Sequence, residues 1–79
     1  MKTADEMFRE LGYKRCEDTK VRGIEYVQKC GMTSYKITII PIGEIARATM
    51  NGHYIEFSFN EIRAVAKLLE EMEEEHETD

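Results

Sequence analysis

The sequence predicts an α+β domain in the order α-β-β-β-(β-β)-α, an antiparallel sheet of four or five strands with two helices packed on one face. Three observations carry this. From Phe59 to Glu75 the apolar residues Phe59, Ile62, Val65, Leu68, Leu69 and Met72 recur at intervals of three and four, a stripe along one side of a helix. Near the N-terminus Ala4, Met7, Phe8 and Leu11 repeat the same spacing over two turns. Between them, from Tyr13 to Phe57, the period changes to two and turn residues recur, the pattern of short strands joined by hairpins. Hairpins force antiparallel pairing, and two one-sided helices then cover the same face of the sheet.

The first helix opens on Thr3-Ala4-Asp5-Glu6, a capping box in which the Thr3 hydroxyl accepts from the Glu6 amide and the Glu6 side chain reaches back. Gly12 suits the left-handed position that ends it. Tyr13 to Asp18 reads as a first strand, Asp18 to Gly23 as a polar loop, and Gly23 to Cys30 as a second strand. Tyr35 to Ile40 is β-branched and nearly continuous, as a central strand would be. Pro41-Ile42-Gly43 fits a type I turn. Ile45 to Met50 and His53 to Ser58 flank Asn51-Gly52, whose residues both tolerate positive φ and so mark a hairpin. Ser58-Phe59-Asn60-Glu61 is a second capping box, with Phe57 and Ile62 placed as its hydrophobic staple. Acidic residues after Met72 oppose the negative end of the helix dipole, which predicts fraying there. Residues 1–75 are thus expected to form one domain and 76–79 a disordered acidic tail.

Alternation assigns the two sheet faces. Ile24, Tyr26, Ile37, Ile39, Ala48, Ile55 and Phe57 fall on the covered side. Val27, Thr38, Ile40, Ile45 and Tyr54 fall on the other, among Glu25, Lys29, Lys36, Arg47 and Glu56. That mixed face, centred on Val27, Ile40 and Tyr54, is the leading candidate for protein interaction; an unpaired strand edge is the other route to a partner.

A chain of 79 residues buries a small core, so a second subunit would add useful stability. The net charge of -5 is unevenly placed. Residues 1–60 hold nine Lys and Arg against eight acids, and residues 61–79 hold two against eight. The acidic end opposes general affinity for nucleic acid or anionic membranes. No apolar run approaches a membrane span and MKTADEMFRE has no signal core, so a cytoplasmic setting is expected. In that setting Cys16 and Cys30 are expected as reduced, buried, apolar side chains.

Chemistry finds little material. Cys16, Cys30, His53 and His76 lack metal-ligand spacing, and no phosphate-cradling glycine loop or nucleophile motif occurs. His53 and Glu56 point to opposite faces of a strand. No enzymatic activity, metal or cofactor is expected. Nucleic-acid binding is the alternative function, through Lys14, Arg15, Lys20, Arg22, Lys29 and Lys36 around the first hairpin. The element order approaches that of double-stranded RNA-binding domains, but Asn60-Glu61 stand where those domains place a basic cluster. The run EEMEEEHETD at the end reads as a solubilising terminus rather than a phosphate mimic.

The opening TADEMFRELGYKR from Thr3 to Arg15, the IEY strand at Ile24–Tyr26 and the capped last helix resemble small uncharacterised proteins encoded in prophages and mobile elements of Gram-positive bacteria. The stretch from Pro41 to His53 is longer than in that pattern. The resemblance implies a setting, that of an accessory protein, and no catalytic residue or cofactor. The sequence therefore points to a non-enzymatic binding module whose partner is a protein or a second copy of itself.

Overall fold

The computed structural model describes residues 2–16, 23–40 and 45–77. Helix α1 (Ala4–Glu10) is followed by strands β1 (Lys14–Cys16), β2 (Ile24–Cys30), β3 (Thr33–Ile40), β4 (Ile45–Met50) and β5 (His53–Ile55), then helix α2 (Phe59–Glu77). The strands form one antiparallel meander in chain order, so the larger expected strand count is the one found. The expected loop holding Lys20 and Arg22, the Pro41-Ile42-Gly43 turn and residues 78–79 lie outside the described residues.

Helix α1 begins as its sequence predicts, with Thr3 Oγ1 accepting from the Glu6 amide at 3.2 Å. It ends in a Schellman motif: the Gly12 amide donates to the Arg9 carbonyl at 3.0 Å and the Tyr13 amide to the Phe8 carbonyl at 2.9 Å. Gly12 has φ +93, a left-handed conformation that strains any residue with a side chain, so the cap favours glycine. Because the Tyr13 amide closes this cap, Tyr13 is not a strand residue, and the first strand starts one residue later than its sequence suggests. The Tyr13 ring packs edge-on against Phe8, the apolar contact that accompanies such caps.

The hairpin β4–β5 turns on Asn51 (φ 50) and Gly52 (φ 85). Asn51 also exchanges hydrogen bonds with the Ser34 backbone, its Oδ1 and its amide each at 2.8 Å, which ties this turn to the start of β3. At the start of α2 the second capping box is complete: Ser58 Oγ accepts from the Glu61 amide at 3.2 Å, and the Ser58 amide donates to Glu61 Oε1 at 2.7 Å.

Both helices lie on one face of the sheet, over Tyr26, Ile37, Ile39 and Ala48, with Ile24, Ile55 and Phe57 at its margin. These are the residues alternation assigns to the covered side. Phe8 and Ala4 from α1, and Ala64, Val65 and Leu68 from α2, complete the core. Phe8 stacks on Tyr26 with ring centroids 3.9 Å apart, which joins the first helix to the sheet.

Three expectations need correction. Helix α2 runs past Met72 to Glu77. Glutamate is a good helix former, and the dipole penalty at an exposed end is only about 0.3–1 kcal/mol, so propensity wins. His76 and Glu77, expected in a disordered tail, are therefore helical. Cys16 and Cys30 are exposed rather than buried. Cys16 stands opposite Glu25 on the uncovered face of an edge strand, and Cys30 is the last residue of β2, where the sheet ends.

Candidate interaction surfaces

Two carboxylates of α2 fix how it sits, and a third, on α1, ties that helix to the sheet. The Tyr13 hydroxyl donates to Glu61 Oε2 at 2.7 Å, and the Ala4 amide donates to Glu71 Oε2 at 2.9 Å. Glu61 lies at the start of α2 and Glu71 towards its end, so α1 and α2 run antiparallel. Tyr26 donates its hydroxyl to Asp5, whose carboxylate also lies 3.7 Å from Arg15. Burial, and the carboxylate beside each phenol, push the Tyr13 and Tyr26 hydroxyls well above their ordinary pKa. Both phenols therefore stay protonated and donate.

Because Glu61 and Glu71 reach towards α1, α2 is turned about its axis relative to the stripe its sequence suggests. Ala64, Val65 and Leu68 are buried, while Phe59 is 80% exposed, Ile62 48% and Leu69 41%. The periodic stripe thus splits. Its inner half enters the core, and its outer half, Phe59, Ile62 and Leu69 joined by exposed Ala66, faces solvent. Beside it lie two adjoining concavities that share Ala46 and Leu69. One, of about 290 Å³, is lined by Ala46, Phe57, Ile62, Val65, Ala66 and Leu69. The other, of about 370 Å³, reaches Ile40, Ile45, Met72 and Glu73 at the end of the sheet. An exposed, continuous apolar margin between α2 and β4 results.

The opposite sheet face is the mixed surface that alternation predicts. Register puts Lys14, Val27, Lys36, Thr49 and Tyr54 in one row across the five strands. Val27 therefore lies between two lysines, and Tyr54 is three strand spacings away, about 14 Å. Ile40 pairs with Ile45 at the other end of β3 and belongs to the apolar margin beside Leu69 and Met72. The structure does not gather Val27, Ile40 and Tyr54 into one patch. Glu25 is nearly buried on this face, held between Cys16 and Thr38 with Lys36 Nζ at 3.5 Å.

Four of the six basic residues of the first hairpin, Lys14, Arg15, Lys29 and Lys36, line one open concavity of about 670 Å³. Arg15 is engaged by Asp5 and Lys36 by Glu25, which lowers the charge offered there. Lys20 and Arg22 lie outside the described residues. Among the described residues no three His, Cys, Asp or Glu side chains are placed to hold a metal ion, and no helix is long and apolar enough to cross a membrane.

The apolar margin is the feature that sequence reasoning missed. Its signal was present: Phe59, Ile62, Ala66 and Leu69 follow a three-four-three spacing, a second seam beside the core-facing stripe. Comparison with protein-family models, with curated proteins and with solved structures finds no match to this chain.

Proposed function

We propose that this chain is a non-enzymatic accessory module that binds protein through the outer stripe of α2 and the adjoining end of the sheet. The observation that carries this reading is the continuous exposed apolar margin of Phe59, Ile62, Ala66 and Leu69 with Ile40, Ile45 and Ala46. A domain with so small a core does not leave side chains of this size in water without cost, and their burial on a partner recovers about 25 cal/mol per Å². The prophage or mobile-element setting implied by the Thr3–Arg15 stretch is part of the same reading.

The test is capture of partners on the tagged chain, with and without nuclease, alongside Ile62→Asp/Leu69→Asp and Lys14→Glu/Lys36→Glu variants. Nuclease-resistant protein capture that is lost in the first variant and kept in the second supports the proposal. Capture indifferent to Ile62 and Leu69 sinks it.

A second reading, nucleic-acid binding, is favoured by the convergence of Lys14, Arg15, Lys29 and Lys36 on one concavity. It requires binding that falls steeply with salt and is lost in Lys14→Glu/Lys36→Glu.

A further inference from the structure

We propose that the occupant of the α2 margin is an amphipathic helix with a cationic flank, contributed by another protein. This rests on the reading of the margin as a binding face and names the chemistry of its partner. The first ground is backbone satisfaction. Strand β4 is already paired with β3 on one side and β5 on the other, and the backbone of α2 is bonded within its own helix. The margin therefore offers no free edge to an extended segment, and a partner buried here must satisfy its own backbone, which a helix does. The shape suits one. The two concavities adjoin at Leu69 and follow α2 from Ile62 to Glu73, a run of about 16 Å or three turns. Along it Ile62, Ala66 and Leu69 are spaced by four and three, the seam into which another helix interdigitates.

The second ground is charge complementarity. Six of the eight residues from 70 to 77 are glutamates. Glu73 lines the second concavity beside Leu69 and Met72, and exposed Glu70 follows Ala66 by one turn. The negative end of the α2 dipole lies at the same end. The cations of α2 stand elsewhere: Arg63 and Lys67 line a separate concavity with Lys2 and Glu10. Among the described residues, none that lines either concavity of the margin is cationic. Lysine or arginine on the flank of an incoming helix therefore meets Glu70 and Glu73, whereas an acidic helix or an anionic bilayer is repelled.

Isothermal titration calorimetry of the full chain with three synthetic peptides tests this. The first carries leucine at intervals of three and four over three turns with lysine on its flanks. The second replaces the lysines by glutamates, and the third scrambles the first so that no helical period remains. The first is expected to bind more tightly than either of the others by about tenfold or more, with its advantage over the second shrinking as salt rises. Glu70→Lys/Glu73→Lys should invert the preference between the first two. Ile62→Asp/Leu69→Asp should abolish binding, with circular dichroism confirming that it folds. The charge exchange touches exposed residues only, so it remains decisive if the apolar variant does not fold. Equal affinity for the lysine and glutamate peptides, lost in Ile62→Asp/Leu69→Asp, overturns the cationic partner alone. Equal affinity for the first and scrambled peptides overturns the helical partner. Binding indifferent to Ile62 and Leu69 overturns the binding face as well. No binding by any peptide overturns the proposal, and the capture experiment then decides whether the face survives it.

Discussion

Towards α1, helix α2 presents Glu61, Ala64, Leu68 and Glu71; away from it, Phe59, Ile62, Ala66 and Leu69. On the first flank a small buried alanine lets the helices approach, and both carboxylates accept hydrogen bonds from α1 or the residue that follows its cap. On the second, larger apolar side chains meet solvent beside β4. Helix orientation here follows polar satisfaction as well as hydrophobicity. A rotation that buried Ile62 and Leu69 more deeply would withdraw Glu61 from Tyr13 and Glu71 from Ala4. A buried phenol left without its acceptor costs about 1–3 kcal/mol. The closed flank serves stability, and the open flank is the one we propose for a partner.

The largest expected effect that separates the flanks comes from Phe8→Ala. Phe8 is fully buried, stacked on Tyr26 and edge-on to Tyr13. Its loss should cost about 3–5 kcal/mol, much of the stability of a domain this small, read as a fall in the urea midpoint. Next, Tyr13→Phe and Tyr26→Phe should each cost about 1.5–3 kcal/mol, since each removes a hydrogen bond to a carboxylate. Equal losses from Tyr54→Phe would erase the contrast, because Tyr54 is exposed and its removal should stay within about 0.5 kcal/mol.

The same two phenols give a pH signature. In the folded chain they hold their protons above the ordinary value near 10, so their contribution is complete below that pH. It is lost as the pH rises further, because the unfolded chain ionises first. Thermal unfolding should therefore be flat with respect to these groups below pH 10 and should weaken above it. Tyr13→Phe/Tyr26→Phe should flatten that alkaline fall. Leu69→Asp measured in dilute solution should cost about 1 kcal/mol or less, with a larger loss at high concentration if the open flank is covered there.

Much of this fold was legible in the sequence because its signals are local. Thr3-x-x-Glu6, Gly12, Asn51-Gly52 and Ser58-x-x-Glu61 each fix a boundary by their own chemistry, and all four act as read. Alternation likewise assigned Tyr26, Ile37, Ile39 and Ala48 to the core. What could not be read was the rotation of α2. It depends on Tyr13 and Ala4, residues 48 and 67 positions away from their carboxylate partners, and no periodicity within the helix reports on them. Parity alone points to the open sheet face. Counting apolar residues by parity put Val27, Ile40 and Tyr54 together, whereas register separates them by lysines and whole strands.

The most direct test of the asymmetry is a concentration series of amide and methyl NMR spectra of the full chain. Shifts that move with concentration should cluster at Phe59, Ile62, Ala66, Leu69 and Ile45, leaving Lys14, Val27 and Lys36 still. Changes centred on Val27 and Tyr54 instead would contradict the assignment of the open flank of α2 as the binding face.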